Sequence, residues 1–109
     1  MTETVHRELD LPCSPSEAWR YVTDPSWLGD GGDVPTVPGA DGWISEGDDV
    51  HYLIVEEVDE ENRLVYRWAT FADEPSRVEI ELTPTAGGTR ISISESPIEM
   101  RARASLVLR

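Results

Sequence analysis

The 109-residue sequence contains no lysine: its nine bases are all arginine, set against 22 acids, for a formal net charge of −13. So acidic a chain lacks the clustered cations that neutralise phosphates. Nucleic acid and anionic membrane surfaces are therefore not expected partners. Charge of this sign serves solubility first, with docking of a basic partner as the sharper reading. Cysteine is represented once, by Cys13, which excludes an internal disulfide framework and points to a reducing cytoplasm. The two histidines, His6 and His51, have no metal partner at ligand spacing, so no metal and no cofactor are expected. Asp30, Asp33, Asp41, Asp48 and Asp49 cluster in glycine-rich loops but lack the D-x-D-x-D-G order of a calcium loop. No apolar run approaches the ~20 residues of a membrane span. The polar opening "MTETVHRELD" is not a signal peptide.

What is present reads as one domain, residues 1–109, with an ordinary 39% of hydrophobic residues. Residues 4–11 alternate as a strand, with Val5, Arg7, Leu9 and Leu11 on one side. "SPSE" then supplies Ser14 as N-cap, Pro15 at the first helical position and Glu17 three residues after the cap. A helix over 15–23 follows, with Ala18, Trp19 and Val22 on its apolar face. It ends at "TDP", because the residue before proline disfavours the α conformation. "PSWL" adds one helical turn. The glycine- and proline-rich run to Gly42 reads as a loop with one short edge strand near 34–37.

Strand signals separated by turns occupy 42–46, 50–59, 63–70, 77–84 and 89–95. Short turns between alternating strands make an antiparallel meander. Leu64, Tyr66 and Trp68 share one face, as do Val78, Ile80 and Leu82, and Ile91 with Ile93. The opposite faces carry Arg63, Arg67, Arg77, Glu79, Glu81 and Arg90, with Arg67 placed to pair with Glu79 or Glu81. Val55 and Val58 both point inward only if a bulge lies near Glu56 and Glu57. The tail 98–109 satisfies both a strand alternation and a helical stripe.

Several stretches together resemble a known family. "VHRELDLPCSPSEAWRYVTDPSWLGD", "VPG", "IVEEVDEENRLVYRW" and "SRVEIELTPTAGGTRISISE" are similar, in this order, to the branch of the START-like (SRPBCC) superfamily named for the activator of heat-shock-protein ATPase. The resemblance covers roughly residues 4–96. It implies an α+β helix-grip fold: a curved antiparallel sheet in β-α-α-β6-α order, holding a C-terminal helix over an apolar cavity. Only twelve residues follow Pro97, so that helix would be shortened. Either the cavity is then shallow or a second copy of the chain completes the face as a homodimer.

On this resemblance the short helix and Trp27 plug one end of the sheet, with Trp27 near the cavity mouth and Trp19 anchored in the core. A non-catalytic binding domain for a small apolar or amphipathic molecule is the leading expectation. Trp27, Trp43, His51, Leu53, Tyr66, Trp68, Ile80 and Ile91 are the candidate ligand-binding residues, and His51 and Tyr66 the polar tips. The alternatives are a polyketide cyclase- or aromatase-like enzyme, for which Tyr66 and His51 are the inward-facing acid–base candidates, and a chaperone-interaction protein. Cys13 reads as a structural thiol and His6 as a strand-surface residue.

Overall fold

The computed structural model describes residues 4–69 and 75–98. Strand β1 (Val5–Leu11) leads into helices α1 (Pro15–Val22) and α2 (Pro25–Leu28). Six strands follow: β2 (Gly31–Asp33), β3 (Asp41–Glu46), β4 (Asp49–Asp59), β5 (Arg63–Ala69), β6 (Ser76–Thr85) and β7 (Gly88–Pro97). They form a seven-stranded antiparallel sheet in the order β1-β7-β6-β5-β4-β3-β2. The β-α-α-β6 order expected from the sequence is present. The terminal helix, its length and the strand-or-helix alternative for the tail fall outside the described residues from 99 onward, as does position 70 of the third long strand.

Local chemistry sets the element boundaries. The Ser14 hydroxyl oxygen accepts from the Glu17 backbone N–H at 3.2 Å, capping α1 with Pro15 in the first turn. Asp24 repeats the device for α2, accepting from the Ser26 N–H at 2.9 Å. Ala18, Trp19 and Val22 are buried, as the sequence spacing requires. Helix α1 packs on β6 and β7, whereas α2 packs on β2 and β3, near the opposite edge of the sheet. Two consecutive short helices touch both flanks only because the sheet curls around them.

The short edge strand lies at 31–33 rather than near 34–37. Gly32 has a φ of +147°, and a Cβ there would strike the Trp43 carbonyl. The glycine backbone thus lies against β3 where a side chain would hold it off. Val34 follows as a buried core residue, and Pro35 ends the pairing.

The cross-strand register divides the sheet into two faces. On the inner face run Val55, Tyr66, Val78, Glu95 and Val5 in one row, and Leu64, Ile80, Ile93 and Arg7 in the next. A bulge between Val55 and Glu57 lets Val55 and Val58 both turn inward, as the sequence demanded. On the outer face Arg63 pairs with Glu57 at 3.2 Å, Glu79 at 3.0 Å and Glu81 at 3.3 Å. Arg67 does not reach Glu79 or Glu81. The register sets it opposite Arg77, and both arginines instead share Glu56, each at 2.8 Å. These charges surround Val65, which is fully buried on that face.

Candidate functional site

The inner face gathers a small group of aromatic and ionisable side chains. Tyr66 and Trp68 sit two residues apart on β5 and therefore share a face, their rings meeting edge-on at 5.7 Å. His51 on β4 stacks on Trp68, with ring centres 4.3 Å apart and an interplanar angle of 29°. The Trp68 indole Nε1 donates to the Glu95 carboxylate at 2.9 Å. Glu95 reaches this position from β7, across Val78 from Tyr66 in the register. Leu53 pairs with Trp68 and Val55 with Tyr66, which gives the group an apolar floor.

Two polar atoms of this group are buried without a hydrogen-bond partner among the described residues: the Tyr66 hydroxyl and His51 Nδ1. Almost all buried polar groups in folded proteins are paired, because an unpaired one costs about 1–3 kcal/mol. Burial drives the Tyr66 phenol well above its ordinary range, and the nearby Glu95 charge adds to the shift. The phenol therefore stays protonated and acts as a hydrogen-bond donor.

The other sequence-derived candidates separate from this group. Ile80 and Ile91 are fully buried core residues on β6 and β7. Trp27 packs against the core from α2 and meets Tyr21 at 5.3 Å. Trp43 stands on the outer face, 45% exposed, because its neighbour Ile44 takes the inward position. Glu95, absent from the sequence-derived candidates, follows Ile91 and Ile93 in strict alternation on β7 and so falls on the inner face. Cys13 is a half-buried free thiol, its carbonyl accepting from the Thr89 hydroxyl at 2.8 Å. His6 is exposed beside Glu8 and Ser94. Among the described residues no three His, Cys, Asp or Glu side chains form a metal-binding group, and no helix is long and apolar enough to cross a membrane.

Residues 12–106 match the family described as Activator of Hsp90 ATPase homolog 1-like protein. The chain belongs to this family. The START-like resemblance seen in the sequence is thus upheld, and the curled sheet has solved counterparts. DynU16, a protein of the dynemicin biosynthetic locus, is 24% identical with a TM-score of 0.77; the match covers 95% of this chain but 43% of DynU16. MLL2253 from Mesorhizobium loti is 26% identical with a TM-score of 0.79, covering 94% of this chain and 82% of that one. CalU16 from Micromonospora echinospora is 17% identical with a TM-score of 0.70, covering 92% and 64% of the two chains. No curated protein sequence matches significantly. Against this family background, His51, Tyr66, Trp68 and Glu95 lie on the face of the sheet around which it curls.

Proposed function

We propose that the chain binds a small apolar or amphipathic molecule on the inner face of its sheet. The apolar body would lie against Trp68 and Leu53, and an oxygen acceptor would reach the Tyr66 hydroxyl. The observation that carries this reading is the pair of buried, unpartnered polar atoms, the Tyr66 hydroxyl and His51 Nδ1, beside an otherwise apolar floor. A ligand supplying the missing partner recovers a hydrogen bond that the free protein forgoes. Membership in the family, together with a structural counterpart from a biosynthetic locus, supports a small-molecule-binding domain.

Binding is favoured over proton transfer by the state of Tyr66. General acid–base catalysis works best with a group whose pKa lies near the operating pH. Tyr66 is shifted away from that range, not toward it. A chaperone-partner role draws on the family's name and the acidic composition, and no inner-face residue bears on it.

The test is equilibrium binding of the neutral dye Nile red, measured by fluorescence. Trp68→Ala is expected to weaken dye binding about tenfold, roughly the 1.4 kcal/mol that a lost aromatic contact represents, with the far-ultraviolet circular dichroism retained. Undiminished dye affinity in a folded variant contradicts the assignment. Native mass spectrometry of freshly purified protein supplies the complementary reading, since a bound ligand adds mass to the intact chain.

A further inference from the structure

The inner-face group leaves unexplained a second feature, which reaches the other side of the sheet. A groove of about 490 Å³ at the β4–β5 end of the sheet is lined by Asp41, Tyr52, Ile54 and Arg67 and also by Leu53 and Trp68 of the inner-face group. Asp41, Ile54 and Arg67 form one cross-strand row, and Tyr52 pairs with Ala69. Asp41, Tyr52, Ile54, Arg67 and Ala69 alternate with Leu53 and Trp68 and carry the outer-face part of the groove, while Leu53 and Trp68 line it where it borders the inner-face group. Trp43 stands directly opposite Tyr52 in the register and extends the apolar surface toward the β2 edge. Trp43, Tyr52 and Ile54 are 45%, 51% and 45% exposed.

The outer face is thus divided. Over β5, β6 and the bulged part of β4, arginine–glutamate pairs cover it. Over β3 and the start of β4, the covering is aromatic and aliphatic, and the charges beside it are acidic. Asp33 is the cross-strand partner of Trp43, and Asp41 lies two residues before Trp43 on the same strand and face. Both are exposed, and no ion pair engages either among the described residues. Arg67, the base in the groove lining, is already held by Glu56.

We propose that this patch docks a basic, apolar segment of a partner protein: an extended peptide in which arginine or lysine alternates with aliphatic side chains. The aliphatic residues would fill the groove. The cations would lie over the Trp43 indole, between Asp33 and Asp41. Aromatic faces and carboxylates both attract a cation, and the aromatic contribution strengthens as water is excluded. An exposed apolar patch rimmed by polar residues is the usual mark of an association surface. A second copy of this chain is a poor occupant, because each copy carries a net charge of −13. The groove shares Leu53 and Trp68 with the proposed small-molecule site, but the cation contacts, Trp43, Asp33 and Asp41, belong to the outer face alone.

Two capped hexapeptides, one alternating leucine with arginine and one alternating leucine with glutamate, test it on the full chain. Binding is followed through the tryptophan indole N–H resonances. The arginine peptide is expected to bind and to move the Trp43 signal, while the glutamate peptide does neither. Trp43→Ser should weaken the arginine peptide at least tenfold, and the double variant D33N/D41N at least threefold, with the Trp19 and Trp68 signals in place as evidence of folding. Raised salt should weaken the wild-type complex. Equal binding of both peptides, binding of neither, or unchanged affinity in Trp43→Ser overturns the proposal. Dimerisation that Trp43→Ser abolishes also overturns it, by assigning the patch to a second copy.

Discussion

Tyr66 holds the largest fully buried side chain of the core, yet its hydroxyl finds no partner among the described residues. Its titration carries a consequence for stability. The ordinary tyrosine pKa is 10.0, and in the folded chain burial raises it. A group whose folded pKa lies above its unfolded value stabilises the fold fully below the unfolded pKa and loses that contribution as pH rises toward the folded one. The chain should therefore lose stability as pH rises above about 10, the unfolded tyrosine value, and Tyr66→Phe should lose less over the same interval. Urea titrations across the alkaline range check this; parallel losses in the two proteins would contradict it. The alternation Leu64-Tyr66-Trp68 made the inward position of Tyr66 legible in the sequence. The proximity of Glu95 was not, because it depends on the register of β5, β6 and β7 and on the indole that fixes its carboxylate.

Among the elements, α1 shows most directly how local chemistry becomes structure. Its eight residues are too few to form a stable helix alone. Burial of Ala18, Trp19 and Val22, together with the Ser14 cap, holds it in place. Ser14→Ala should therefore destabilise the fold by about 1 kcal/mol, read as a lower urea midpoint with an unchanged slope. No measurable shift would mean that the cap geometry contributes nothing. This helix, the β4 bulge and the meander were all readable, since each has a local signature: a capping box, two inward valines, alternation between turns. The edge strand was misplaced by three residues because glycine has no side chain to alternate. Its pairing rests on close backbone approach at Gly32, which no hydropathy pattern records. The assignment of Arg67 to Glu79 or Glu81 failed for a related reason. Alternation finds a residue's face, but only the register sets its neighbour, and the bulge brings Glu56 into reach instead.

At the scale of the whole molecule, charge is the dominant property. Salt acts in two opposing ways: it weakens the outer-face pairs and it screens the repulsion of a chain with net charge −13. Exposed pairs contribute about 0–1 kcal/mol each, whereas like-charge repulsion extends over the whole surface. The second effect should prevail. Between about 0.01 M and about 0.15 M potassium chloride the Debye length falls from ~30 to ~8 Å, and the midpoint of thermal unfolding should rise. A falling midpoint would show that the arginine–glutamate pairs dominate. The family and the curl were legible because motifs spread along the chain occur in the right order. The division of the sheet into a polar-tipped inner face and an acid-rimmed aromatic outer patch was not, and it removed Trp43 from the inner group.

The central claim is that the Tyr66 hydroxyl is kept for a ligand at a cost to the free protein. Urea unfolding of Tyr66→Phe beside the wild-type protein, both stripped of bound small molecules, tests it most directly. Removing an unpaired buried hydroxyl without altering the ring should raise stability by about 1 kcal/mol. A loss of stability of that size would mean that the hydroxyl already has a partner in the folded chain, and the ligand-binding account of the inner face would fall.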